Sequence, residues 1–421
     1  MAERRSSETG SPISAQDRKV IRDLAKKVAE IAAKPVMAER RNLWKKHNSL
    51  HHGRPMILVF PEGSWRELLP EAAMNCRGKE ARGIEWNLRA RVFAHEHFDD
   101  DTVIENEWVV GKVIRSTGWG LEAKWRYSDQ PTGARAFDPV IHSPSDLKKI
   151  ELPDIHHDEK ATQRNLAEMQ ELLGDIMNVR LKGVAHVSFH LMSQYTALRG
   201  LEQVMTDMID NPRMLHDAMA ILEEGHHRLV RQYVDRNLLS LNNDGTYHSS
   251  GGVGYTDELP KAGFDPDRIR PCDMWASAEA QEMAQVSPAM HAEFVLACEK
   301  RLLAPFGLNG YGCCDDLTRK LDDVLTIPSI RRISISPWSN VDVCAERLQG
   351  RYIFSWKPHP AHLAGAFNPE MIRAYIRHTL DAAARNGCVL EMILKDTHTC
   401  DNHPERFDQW TRIARDLVSG S

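Results

Sequence analysis

The sequence predicts an α/β fold: a (β/α)8 barrel with an N-terminal helical extension and an inserted β-hairpin. Three observations predict it. From about residue 145 onward, short apolar runs alternate with segments of helical periodicity. Alternation of this kind implies parallel strands joined by right-handed crossovers. With the earlier runs included the count reaches eight, the number that closes a barrel. Each run is also followed at once by polar, chemically capable residues, as the loops at one end of such a barrel require. A doubly wound open sheet is the other topology the alternation admits.

Residues 1–14 are rich in Ser, Glu and Gly and predict a flexible N-terminus. Val20, Leu24, Val28 and Ile31 stand at helical spacing within 15–47, so residues 15–50 form the helical extension and 51–421 the barrel domain. Met56-Ile-Leu-Val-Phe60 is the first strand. The stretch 102–127 holds Val103-Ile104, Trp108-Val-Val110 and Val113-Ile114, broken by Gly111, Gly118 and Gly120. It supplies one barrel strand and the inserted hairpin. A helix over 158–177 precedes the run Val184-Ala-His-Val187, and one long helix over 199–236 precedes Leu238-Leu-Ser-Leu241. Helices at 287–304, 317–325, 341–348 and 369–385 precede Phe306-Gly-Leu308, Arg332-Ile-Ser-Ile335, Tyr352-Ile-Phe354 and Val389–Leu394, and a last helix spans 404–418.

Composition narrows the function classes. Of 421 residues, 42% are hydrophobic and 27% charged, ordinary values for a globular chain. Lys and Arg number 54 against 59 Asp and Glu, a net charge of −5, which removes the simple electrostatic case for nucleic acid or anionic lipid. No apolar run approaches the roughly 18 residues of a membrane span, and the N-terminus lacks the apolar stretch of a signal peptide. A cytoplasmic location is the expectation, and with it reduced thiols. The eight cysteines are irregularly scattered and predict no disulfide framework. No nucleophile elbow, phosphate loop or His-Glu-x-x-His motif is present. The pairs His51-His52, His156-His157 and His226-His227 are adjacent in sequence, so their rings diverge and surface or packing roles are expected.

The residues that follow the runs carry the functional reading. After the first come Glu62, Trp65 and Arg66; after later ones come His190, Asn243-Asp244, Tyr311, Cys313-Cys314, Trp338, Lys357 and Lys395-Asp-Thr-His-Thr-Cys400. Paired Cys, His, Lys, Trp and Arg go beyond what turns and helix caps select. Cys313-Cys314 with His398 and Cys400 is the sharpest constellation. Mixed thiolate and imidazole ligation suits a zinc ion with one open position; the alternative is that the cysteines are small buried hydrophobes. Lys357 precedes Pro358-His359-Pro360, which stiffen its turn. It either acts at the site or is a surface lysine beside a rigid loop. Asp244 either binds substrate, acts as a base, or satisfies its own turn. The segment Ser249–Tyr255, with Gly251, Gly252 and Gly254, reads as a mobile cover over the barrel mouth rather than a phosphate cradle.

Several segments together resemble the uroporphyrinogen decarboxylase superfamily, in its branch of corrinoid-dependent methyltransferases: Arg54–Arg66, Arg199–Pro212, Leu241–Thr246, Leu308–Asp315, Ile333–Trp338 and Lys395–His398. They run from about residue 50 to the C-terminus, and the Tyr-Gly-Cys-Cys and Asp-Thr-His segments are the most specific. The resemblance implies a single (β/α)8 barrel that moves a methyl group between a small molecule (a methyl ether, methanol or a methylamine) and a corrinoid on a partner protein, with zinc assisting. It implies Cys313 and His398 as metal ligands, with Cys314 or Cys400 and, less directly, Glu282. Asp244, Lys357 and Asp396 would position the substrate. Where that family carries His-x-Cys, this chain reads Tyr311-Gly312-Cys313, and the Gln-Ala-Gly-Arg segment of the haem-pathway decarboxylase is replaced by Pro61-Glu62-Gly63-Ser64. The chain shows no corrinoid-binding segment, so the corrinoid would come in trans; a homodimer is admissible. Two other readings stand beside this one. A metal-free decarboxylase or other lyase would use Lys357 or Arg66 to stabilise a carbanion. A non-catalytic protein would hold a small ligand at the barrel mouth.

Overall fold

The computed structural model describes residues 13–128 and 135–420. The expected flexible segment 1–14 therefore lies outside the described residues except for Ile13 and Ser14. Ser14 caps the first helix, α1 (Ala15–Ala32), by accepting from the Asp17 amide. The single helix expected over 15–47 is two. Pro35 opens α2 (Pro35–Asn48) because a proline is suited to a first turn and not to a helix interior. Ile21, Leu24, Ala25, Val28 and Ile31 bury one face of α1 in a cluster with Ala81, Ile84 and Leu88 of the helix Lys79–His97.

The centre of the fold is one parallel sheet of seven strands. They are β1 (Met56–Val59), β2 (Ser188–Phe189), β3 (Trp275–Ala278), β4 (Leu308–Tyr311), β5 (Ile330–Ile335), β6 (Ile353–Trp356) and β7 (Val389–Leu394). Their order is β1-β7-β6-β5-β4-β3-β2, and every neighbouring pair is parallel. β1, β3, β4, β6 and β7 are buried along their whole length, as expected where a parallel sheet is covered on both faces.

The count of eight strands is corrected in three places. The 102–127 region gives no strand to the main sheet. Glu107–Gly111 pairs in parallel with Asn178–Lys182 as a separate ribbon, and Ile114–Ser116 pairs antiparallel with Ile155–His157. The inserted hairpin is Lys124–Tyr127 against Arg135–Asp138, so the insertion reaches beyond residue 127. Val184–Val187 and Leu238–Leu241 are not ladders but share one bridge, Val184 to Leu239. Conversely, β3 went unread because Trp-Ala-Ser-Ala is mostly small residues without β-branching; Asn242 fastens its start, donating to the Trp275 carbonyl and accepting from its amide.

The long helix expected over 199–236 is two, Leu201–Asp210 and Pro212–Asp235, preceded by a separate helix, Leu191–Arg199. Gly200 sets that helix apart at φ +86°, a backbone state costly to any residue with a Cβ, and Pro212 opens the last of the three. Among the described residues, no helix is long and apolar enough to cross a membrane.

Candidate active site at the carboxyl ends of the strands

Strand alternation sends Arg332 of β5, Ser355 of β6 and Glu391 of β7 to one face of the sheet. There they form a buried polar column. Glu391 accepts from Arg332 Nε (2.9 Å), from the Ser355 hydroxyl (2.5 Å) and from His47 Nε2 of α2 (3.0 Å). Burial alone would raise the Glu391 carboxyl, but the charge of Arg332 and the hydrogen bond of His47 hold it well below the usual carboxylate range. Asn48, next along α2, accepts from Arg332 Nη2 at 2.7 Å and donates to the Tyr255 carbonyl. The N-terminal extension thus plugs this face of the sheet.

Above the column sits Lys357, 3% exposed, immediately after β6. Its ammonium donates to the Ser355 hydroxyl at 2.6 Å and to the Ser355 carbonyl at 3.1 Å. Burial lowers it to about 7, with Lys395 and Arg332 adding repulsion and Glu391 opposing. It is a buried lysine poised between charge states near neutral pH, not a surface residue on a stiff loop.

The residues after β4 and β7 meet in front of Lys357. Cys313 and Cys314 have Sγ atoms 3.6 Å apart. The Ser250 hydroxyl donates to Cys313 Sγ at 3.4 Å, and the Cys314 thiol points to Asp396 Oδ2 at 3.6 Å. Lys395 donates to Asp396 at 3.0 Å and reaches Ser250 Oγ at 3.5 Å. The Asp396 amide donates to Glu62 Oε2 at 3.1 Å. The Cys314 thiol lowers Cys313 to about 7; burial opposes, and the Lys395 charge and the Ser250 hydroxyl assist. Cys314 is pushed in the other direction by the same contact and by burial. Burial works against the Lys395 charge, but Tyr247, Cys313 and Asp396 raise its pKa. The Cys313 thiol is thus poised to ionise near neutral pH beside the Lys395 ammonium.

Ser250 comes from the glycine-rich segment and Tyr247 from just before it, and the two are folded onto the sheet. Tyr247–His248 pairs antiparallel with Gly252–Val253, and this hairpin lies directly on the sheet. A Cβ at Gly251 would come within 2.5 Å of Ile393, and one at Gly252 within 2.3 Å of the Arg332 guanidinium. Glycine is what permits this approach.

On the β2–β3 side, His190 Nδ1 is 2.5 Å from Glu279 Oε1. Burial lowers the imidazole's basicity, but this pairing outweighs it and the net direction is up. Glu282 lies close by, raised by burial and by the charge of Glu279.

Other expected site residues are engaged elsewhere. Trp65 packs edge-on against Trp86 and Phe93. Arg66 donates to the His398 carbonyl at 2.8 Å and holds that loop. Asn243 donates to the Leu259 carbonyl. Asp244 is taken up by Lys182 and Thr246, which lowers it against the cost of burial. Tyr311, inside β4, is fully buried between His291 Nε2 (2.9 Å) and Glu299 (2.8 Å); alternation turns it away from the pocket. Trp338 is 65% exposed, edge-on to His359.

The expected zinc ligands do not gather. Cys400 is buried and its thiol donates to Glu67 at 3.1 Å. His398 is exposed, with its ring nitrogen against Gly63. Among the described residues, no group of three or more His, Cys, Asp or Glu could hold a metal ion. The donor set present does not fit a three-ligand zinc site. The sequence pointed to Lys395 without giving it a role, and it passed over Glu279, Ser250, Glu391, Arg332 and His47. Charges inside the apolar runs Arg332-Ile-Ser-Ile and Val-Leu-Glu391-Met were the available signal, since an ion in a buried strand requires a partner.

No family model matches this chain, and no curated protein matches it. Among solved structures, a methyltransferase from Methanosarcina mazei is similar, with 12% sequence identity, coverage of 90% of this chain and 98% of that one, and a TM-score of 0.49. A likeness at that score is too weak to carry a functional inference.

Proposed function

We propose that the chain is an enzyme that moves a methyl group between a small molecule (a methyl ether, methanol or a methylamine) and a corrinoid carried on a separate protein. The observation that carries this reading is the depressed Cys313 thiol beside Lys395 at the carboxyl ends of parallel strands. In sheets of this class that end is where sites are built. The seven-strand order, with β1 beside β7 and the others in sequence, is compatible with a (β/α)8 barrel and supports the same placement. The Tyr-Gly-Cys-Cys and Lys-Asp-Thr-His segments that carry the sequence resemblance supply Cys313, Cys314, Lys395 and Asp396.

The corrinoid, when its carrier docks, supplies the centre that takes or gives the methyl group. This chain's part is to bind the small molecule and manage charge. Breaking a methyl–heteroatom bond leaves the electron pair on the heteroatom. Lys395 neutralises that charge, and His190, whose Nδ1 is held by Glu279, faces the departing group with Nε2, from which it gives a proton when protonated. The Cys313 thiolate keeps Lys395 charged. Exposed Trp338 offers apolar surface at the rim to the carrier.

The test is incubation of the full chain with chemically reduced cobalamin and a panel of methyl donors, read as methylcobalamin formation. Lys395→Met and Cys313→Ala should each slow it by about 100-fold. No methylation with any donor would overturn the reading.

A second reading is favoured by one observation, the buried Lys357 next to Lys395 with no gathered metal ligands. Two lysines there suit a metal-free lyase that binds a carboxylate and stabilises the carbanion left when carbon dioxide departs. Carbon dioxide release without any corrinoid identifies it.

A further inference from the structure

Beside His190 lies a cavity of about 410 Å³ that the charge cluster does not occupy. That is the size range of small-molecule sites. One wall is the inserted hairpin, whose Trp125 and Phe137 stand in register on its two strands with ring centroids 4.3 Å apart. The facing wall carries Ser188, His190, Gln194 and His226.

The two imidazoles are shifted in opposite directions. Burial, then the charges of His190 and His227, lower His226 to about 4, so it is a neutral ring, edge-on to Phe189. His190 is drawn the other way by Glu279, and with Nδ1 engaged it has Nε2 to offer. Gln194 accepts from His226 Nε2 at 3.1 Å, while its own amide nitrogen is buried without a partner among the described residues. That nitrogen is closed off from the cavity, so His190 Nε2 is the donor the cavity presents.

We propose that this cavity binds a planar aromatic oxyanion, a phenolate or an aryl carboxylate, with its ring against Trp125 and Phe137 and its oxygen toward His190. Aromatic walls favour a flat π face over an aliphatic ring of equal size, and a charge-assisted donor favours an anionic oxygen over a neutral one. The inference deepens the reading above, since the ring is then the small molecule on which group transfer acts, but the cavity is testable without turnover.

The experiment is calorimetric titration of the full chain with 4-hydroxybenzoate, with cyclohexanecarboxylate as the non-aromatic control. Binding at a Kd of about 0.1 mM is expected, with the control weaker by about ten-fold or more. Trp125→Ala/Phe137→Ala should weaken 4-hydroxybenzoate by about ten-fold. His190→Gln, which leaves the hairpin intact, should weaken it similarly and flatten its pH dependence. No heat with 4-hydroxybenzoate, equal affinity for the control, or unchanged binding in both variants overturns the assignment. Ring binding without methyl transfer keeps the cavity and removes the methyltransferase reading. Methyl transfer from donors the cavity does not bind does the reverse.

Discussion

Glu62 and Asp396 face each other across β1 and β7, and both are in the left-handed backbone region, at φ +48° and +57°. The Asp396 amide donates to the Glu62 carboxylate at 3.1 Å. Two strained non-glycine residues joined by one hydrogen bond at the ends of adjacent strands mark a place where geometry outranks local stability. The strain has a measurable consequence at Asp396. Asn tolerates this backbone state and Ala does not. Both Asp396→Asn and Asp396→Ala lose the carboxylate that pairs with Lys395, so the backbone shows in their difference: in urea Asp396→Asn should be more stable than Asp396→Ala by about 1 kcal/mol. Equal stability of the two would show that the backbone there is relaxed.

Lys357 gives a pH dependence whose sign can be worked out. Its folded pKa is about 7, whereas the unfolded value is about 10.4. Between these limits the unfolded chain binds the extra proton, so stability rises with pH across that window. Below about 7 both states are charged and burial of the ammonium costs the fold its full penalty. Lys357→Met removes this term. The variant should be more stable than the parent at neutral pH by about 2–4 kcal/mol, and the gain should shrink toward pH 10. A gain independent of pH, in paired denaturant titrations, would mean that Lys357 stays charged in the folded protein.

How much of this was legible follows from the physics of each element. β1, β5, β6 and β7 are apolar runs that need only hydrophobicity to be recognised, and each lies within a residue or two of its expected place. Cys313, Lys357 and Asp396 were legible because they stand directly after such runs. β3 was hidden because Ala-Ser-Ala has neither bulk nor branching. His47 could not be read at all. Its role depends on α2 bringing it to Glu391, 344 positions away in sequence, and no local pattern reports that distance. The expected zinc ligands stand apart for a related reason. Cys313 and Cys400 both follow strands, but the Cys400 loop folds back onto Glu67 and carries its thiol to another partner.

The same placement predicts metal content. Elemental analysis of the purified, undialysed chain should return zinc well below one equivalent, and Cys313→Ser should leave that figure unchanged. One zinc per chain that disappears in Cys313→Ser would mean that the loops after β4 and β7 rearrange to gather ligands around it.

Cys313 offers the most direct reading of the site, because thiolate and thiol differ greatly in reactivity. Alkylation by iodoacetamide, followed residue by residue with mass spectrometry, should show Cys313 reacting with a midpoint near pH 7. Cys76, Cys298 and Cys344, pushed by burial up to about 12, should stay silent. Cys314→Ala removes the thiol that lies 3.6 Å from Cys313, and Lys395→Met removes the cation that favours its charged form. Each should move the midpoint upward by about one unit, a change of roughly 1.4 kcal/mol between the two protonation states. Lys357→Met should move it less, since Lys357 is itself half-neutral in the same range. If instead Cys313 titrates near pH 9 in the parent and in all three variants, the pocket holds an ordinary thiol, and the group-transfer reading loses the observation on which it stands.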